Sequence, residues 1–131
     1  MVANRKHSGF TLIELMVVIS IIVILLSVAI ISYRQSLVHA KENVLRQDLE
    51  ELRSQIDHYT YDKKKAPQAL DDLVTAGYLK DIPKDPMTGE SNWEVVQDDT
   101  MQSLDQTEPG IDDVHSASDA VGSDGTAYNT W

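Results

Sequence analysis

The chain opens on two hydrophobic patterns laid end to end. From Leu15 to Ile31 it carries no charge and consists of Leu, Ile, Val and Met with two serines and an alanine. At about 1.5 Å per residue such a run approaches the thickness of a bilayer once Phe10 to Glu14 is added. After Ser32 the pattern changes. Val38, Leu45, Leu49, Leu52, Ile56 and Tyr59 recur at intervals of seven, four and three, which is one stripe of a helix. Lys41, Glu42, Arg46, Gln47, Asp48, Glu50, Glu51 and Arg53 fall between them as a polar face. No Pro or Gly interrupts Phe10 to Lys65. The pattern predicts one long helix of roughly fifty residues, apolar all round in its first half and amphipathic in its second; two helices hinged near Ser32-Tyr33 are the alternative.

Lys63-Lys64-Lys65 places positive charge at the end of that helix, where the macrodipole favours it, and Pro67 follows. Leu70, Leu73 and Val74 with Gly77 behind them predict a short helix over 68–76, closed by a glycine cap. Pro83 and Pro86 push Ile82 and Asp85 towards extended backbone, and Asp85-Pro86-Met87-Thr88-Gly89 has turn composition. Asn92 to Gln97 alternates as a strand does, and a second strand is predicted over 110–116. The fold class is therefore α+β, a long N-terminal helix on a small antiparallel sheet.

Charge changes the picture at both ends. Arg5 and Lys6 precede the apolar run and favour a cytoplasmic N-terminus, with the rest of the chain across the membrane. Glu14 stands at the mouth of the apolar helix, where a carboxylate is costly. A cleaved secretory signal, with Ser27-Val28-Ala29 as its site, has no use for that acid, and neither has a plain anchor. A helix that packs against copies of itself could pair it with a cation. The net charge of −10 is concentrated late: Asp85 to Trp131 holds eleven Asp and Glu and no Lys or Arg. That argues against nucleic acid as a partner. The absence of cysteine means that no disulfide supports the small domain that remains.

Lys6-His7-Ser8-Gly9-Phe10-Thr11-Leu12-Ile13-Glu14-Leu15 resembles the processing signature of type IV pilins and type II secretion pseudopilins. The resemblance implies cleavage by a prepilin peptidase after Gly9, methylation of the new N-terminus at Phe10, and pairing of Glu14 with the terminal amine of a neighbouring subunit. It implies a leader over 1–9, a transmembrane and assembly helix over 10–32, and a periplasmic domain over 33–131 on a single-pass inner-membrane protein. The block Gly77 to Gly89, with Pro83, Asp85 and Pro86, is similar to that of the major, G-type pseudopilins, which favours a periplasmic pseudopilus over a surface pilus for adhesion, DNA uptake or motility. Partners implied are copies of the chain itself, minor pseudopilins, an inner-membrane assembly platform and the peptidase. One departure is visible. Many pilins carry a proline in the membrane half of the helix, roughly where Ile31 stands here, so the backbone bonds remain intact.

The segment from Gly110 to Gly125 is dense in hard oxygen donors, the ligands that Ca²⁺ takes in flexible geometry. Its spacing is not that of an EF-hand, and a solvated acidic loop explains the same residues. G-type pseudopilins hold one Ca²⁺ in this loop, so the resemblance implies a structural calcium site at Asp119 and Asp124, with Ser116 and Ser118 as further candidates and a shorter loop between. Tyr128 and Trp131 suggest a docked tail. His115 reads as a surface or packing residue rather than a metal ligand. Asp112-Asp113, adjacent on a strand, point to opposite faces and form no catalytic pair. No nucleophile triad, phosphate loop or Cys/His cluster is present, and the expectation is a structural subunit rather than an enzyme.

Overall fold

The computed structural model describes residues 8–98 and 108–131. Its elements are α1 (Leu12–Lys63), α2 (Leu70–Thr75), β1 (Glu94–Asp98), β2 (Gly110–His115) and a single 3₁₀ turn at Tyr128–Thr130. The cationic stub Arg5-Lys6-His7 lies outside the described residues. The chain separates into two compact units, Met1–Leu37 and Val38–Trp131.

The continuous reading of α1 holds, and no hinge interrupts it near Ser32-Tyr33. Thr11 starts it: its Oγ1 accepts the Glu14 N–H at 3.2 Å, and its carbonyl accepts the Leu15 N–H at 3.1 Å. A side-chain acceptor at this position satisfies a donor that the first turn leaves orphaned. In the first unit the large apolar side chains are all exposed, from Phe10 to Ile31. Ser20, Ser27, Ser32 and Ser36 donate their hydroxyls to the carbonyls of Met16, Val23, Val28 and Ser32, one turn back. Each hydroxyl is thereby satisfied inside its own helix, as a lipid environment demands.

In the second unit Leu45, Leu49, Leu52, Ile56 and Tyr59 are buried, as the stripe predicts. Two positions differ. Val38, at the head of the stripe, is 45% exposed. Glu42, assigned to the polar face, is only 3% exposed. It lies on the stripe itself, seven residues before Leu49 and three before Leu45, and its carboxylate is buried because hydrogen-bond donors from the end of the chain meet it there.

Lys64, in the left-handed region with φ 56, ends α1. In α2 the Asp72 carboxylate reaches back to the Ala69 N–H at 3.1 Å, holding the first turn. Gly77, with φ +86, closes it: the Gly77 N–H donates to Val74 and the Tyr78 N–H to Leu73. That paired arrangement is the Schellman motif expected of glycine here.

β1 and β2 pair antiparallel, Glu94 opposite His115 and Asp98 opposite Gly110. The register shifts between Val96 and Gln97, where Asp113 and Ile111 are the successive partners and Asp112 is the extra residue. This bulge lets Ile111 and Val114 both face inward, 1% and 0% exposed, although three residues apart. They pack with the α1 stripe, Leu70, Leu73, Leu79, Trp93 and Tyr128 in one core. Gly110 passes so close to Ala66 that a Cβ on it would collide with that residue's Cβ.

Candidate functional site

Two places in the chain carry polar chemistry that packing alone does not explain. The first is the entrance to α1. Gly9 lies in open space with nothing near a would-be Cβ. Phe10 is 79% exposed, and Glu14 is exposed one turn into the helix. Thr11 and Glu14 occupy the first and last positions of a Thr-x-x-Glu capping box, and the Thr11 half of that box is made. Among the described residues Glu14 has no cationic partner. Glu14 is thus an exposed carboxylate in the first turn of a capped helix, four residues after Phe10.

The second place is the C-terminal strap, residues 116–131, and the turn beneath it. Asp85 is fully buried. Its Oδ1 accepts the Met87 N–H at 2.8 Å, and its Oδ2 accepts the Ser116 hydroxyl. Its own backbone closes the Pro-rich turn, donating to Glu90 and accepting from Gly89. The Trp93 indole N–H donates to the Pro83 carbonyl at 2.7 Å, so the turn is fixed from both sides. Nearby Asp48 is pushed above the usual aspartate range by burial, then by the charges of Glu51 and Asp85.

A polar row on α1 reaches the strap. Glu42 accepts the Ser123 N–H at 2.7 Å, the Ser123 hydroxyl, and the Tyr128 hydroxyl at 2.9 Å. Arg46 lies over the Trp131 ring at 4.4 Å and 3.5 Å from Asp124 Oδ2. Arg53 Nε donates to Asp113 at 2.6 Å, and Nη2 donates to the carbonyls of Val114 and Trp131. Intervals of four and seven put these three on one side of the helix. The docked tail is borne out: Tyr128 is 5% exposed and meets Trp131 edge to face at 5.0 Å. His115 is a packing residue whose Nδ1 bonds the Trp131 carbonyl.

The four calcium candidates are placed differently from one another. Asp119 is exposed. Asp124 Oδ1 accepts from the Thr126 N–H and hydroxyl at 2.9 and 2.7 Å, and the hydroxyl bond first among several causes holds its carboxyl below the usual range. The Ser118 hydroxyl accepts the Ala120 N–H. The Ser116 hydroxyl is buried, donating to Asp85 and accepting the Ser118 N–H at 3.2 Å. Among the described residues no three of His, Cys, Asp and Glu gather as a metal cluster. Asp119 and Asp124 are carboxylates of the hard-oxygen type that Ca²⁺ takes, whereas the Ser116 hydroxyl is already bonded to Asp85.

Sequence reasoning missed Glu42, Arg53 and Asp85. A signal existed for the first: the interval of seven from Val38 to Leu45 leaves a vacant place on the stripe, and Glu42 fills it.

Residues 4–30 match the family model described as the prokaryotic N-terminal methylation motif. The chain is 33% identical over 99 residues to the type II secretion system core protein G of Aeromonas hydrophila, covering 63% of this chain and 69% of that one. It is 29% identical over 135 residues to the protein of the same name from Klebsiella michiganensis, covering 91% and 94%. It is also 36% identical over 76 residues to the competence protein ComGC of Halalkalibacterium halodurans, covering 58% and 74%. No solved structure matches.

Proposed function

Because the chain belongs to the type IV pilin-like family of type II secretion core protein G, we propose that it acts as a mechanical, non-enzymatic subunit of the inner membrane, with residues 33–131 in the periplasm. It is a pseudopilus subunit processed by prepilin peptidase. The observation that carries the mechanism is the polar entrance Gly9-Phe10-Thr11-Leu12-Ile13-Glu14 ahead of an apolar helix exposed along its first half. Cleavage after Gly9 removes the leader, residues 1–9, and creates an amine on Phe10. Glu14 of one subunit pairs with that amine on the next, inside the low-dielectric bundle of helices 10–32. Such a pair sets register more than it adds net stability, because an unpaired charge there is expensive. Copies of the chain, minor pseudopilins and an inner-membrane assembly platform are the partners of this step. Energy comes from elsewhere. The reading requires a mature chain that begins at Phe10 and keeps its apolar helix, which peptide mass measurement of the membrane-extracted protein reads directly. The likeness to competence protein ComGC favours a second reading, a surface type IV pilin subunit.

Calcium belongs to the same proposal as a support for a small domain without disulfides. Asp119 and Asp124 with loop carbonyls would hold it, and Ser118 lies beside them. An ion that binds only the folded state adds stability by mass action, about 2.7 kcal/mol at a hundredfold excess over its Kd. Thermal unfolding of the detergent-solubilised full chain is therefore expected to shift down by several degrees on adding chelator, and by less in Asp124→Asn. An unchanged Tm with chelator would remove the ion from the picture.

A further inference from the structure

The end of the C-terminal strap is held by Arg53 and His115 at the Trp131 carbonyl, and the hairpin before it by groups of two kinds. The Arg46–Asp124 pair lies at the surface, its side chains 59% and 42% exposed, and solvent weakens it. The Glu42 carboxylate is buried, with its Tyr128 contact buried and its Ser123 contacts part-buried. Ser123 N–H and Tyr128 O–H converge on Oε1, and the Ser123 hydroxyl meets Oε2. From α1 itself, His39 Nδ1 stands 3.4 Å from Oε2 with its ring half exposed. Arg46, the next charged side chain along this face, is turned to Asp124 and the Trp131 ring. Glu42 therefore faces neutral donors from the strap and one histidine from its own helix.

We propose that Glu42 is a proton-operated latch: ionised, it holds the strap against α1, and protonated, it lets the strap go. A carboxylate accepts all three bonds with charge assistance, which makes them about twice as strong as neutral ones. A neutral carboxyl loses that assistance on every bond at once and must place a proton of its own in a site filled with donors. Ser123 and Tyr128 lie at the two ends of one small hairpin: Val121 pairs with Ala127, and the Gly122 N–H donates to the Thr126 carbonyl. Releasing Glu42 therefore frees the hairpin as a unit. The direction of titration agrees. The Ser123 hydroxyl, first among several causes, holds the Glu42 carboxyl below the ordinary glutamate value in spite of its burial. A group depressed on folding contributes stability above its unfolded pKa and loses it as pH falls through the folded pKa. The latch is closed at neutral pH and opens in acid. Because Asp119 and Asp124 ride on the strap, its opening also disperses those oxygen donors.

The Ser123 amide reports the latch directly. In ¹⁵N NMR of the full chain carrying Asp124→Asn, which removes the adjacent titrating carboxylate, in detergent micelles from about pH 7 to about pH 3, the Ser123 amide is expected to move in one step with its midpoint below the ordinary glutamate value. Residues 120–128 should lose order with the same midpoint. In Glu42→Gln the Ser123 step disappears, and the strap is already loose at neutral pH. Tyr128→Phe keeps the step and raises its midpoint, because one bond to the ionised form is gone. A Ser123 amide that ignores pH over this range, or a strap that stays ordered through its titration, overturns the proposal. So does a Glu42→Gln strap that matches its Asp124→Asn parent at neutral pH; a purely structural contact would give that flat comparison at every pH.

Discussion

Glu14→Ala and Glu14→Gln are both expected to insert in the membrane normally and to fail in fibre assembly, with secretion falling to the background of a strain lacking the chain. Insertion should be unharmed because removing an acid from an apolar helix helps partition, by up to about 3 kcal/mol at the helix centre and less near its end. Assembly should fail because the Phe10 amine of the neighbouring subunit would be left buried without a counter-charge. An uncompensated buried charge costs about 3–5 kcal/mol, enough to reverse the association of one subunit with the next. The glutamine variant decides between two explanations of this residue. Glu14 lies at the last position of the capping box that Thr11 begins. Glutamine serves a capping box as well as glutamate does. If Glu14 were only a cap, Glu14→Gln would assemble; if it is an ion-pair partner, the neutral side chain fails as alanine does. Fibres of normal length from Glu14→Gln would sink the pairing.

The second large effect is expected at Asp85. Asp85→Ala should destabilise the second unit by about 2–4 kcal/mol, since it strands buried partners of a charged acceptor. The Met87 N–H loses its acceptor, and the Ser116 hydroxyl, itself fully buried, loses Oδ2. Asp85→Asn keeps one oxygen for Met87, and the Ser116 hydroxyl can rotate to accept from the new amide, so about half the loss is expected. Denaturant unfolding of the full chain in detergent, followed by tryptophan fluorescence, reads this at the turn, because Trp93 donates to Pro83 within it. A change below about 0.5 kcal/mol in Asp85→Ala would mean that the turn is held by its prolines and backbone alone.

Much of the fold was legible in residue pattern. Leu45, Leu49, Leu52, Ile56 and Tyr59 declare the buried face of α1 because a helix repeats its faces every three or four residues. Gly77 marks the end of α2 because only glycine takes the left-handed cap without strain. What stayed hidden depends on chain segments far apart in sequence. Glu42 reads as solvated until Ser123 and Tyr128, about eighty residues on, bring donors to it. Ile111 and Val114 would lie on opposite faces of a regular strand, and only the bulge at Asp112 turns both inward. Asp85 reads as an ordinary turn residue, because its partner Ser116 is thirty-one positions away. The calcium candidates mix the two cases: Asp119 and Asp124 are close in sequence, whereas the placement of Ser116 was decided by Asp85.

The N-terminus of the mature chain tests the central claim most directly. Protein extracted from cell membranes should yield an N-terminal peptide that starts at Phe10, carries one methyl group on its amine, and runs on into the intact apolar helix. A mature chain starting after Ala29, or one still carrying its leader through Gly9, would contradict it, for then the amine that Glu14 is argued to meet would not exist.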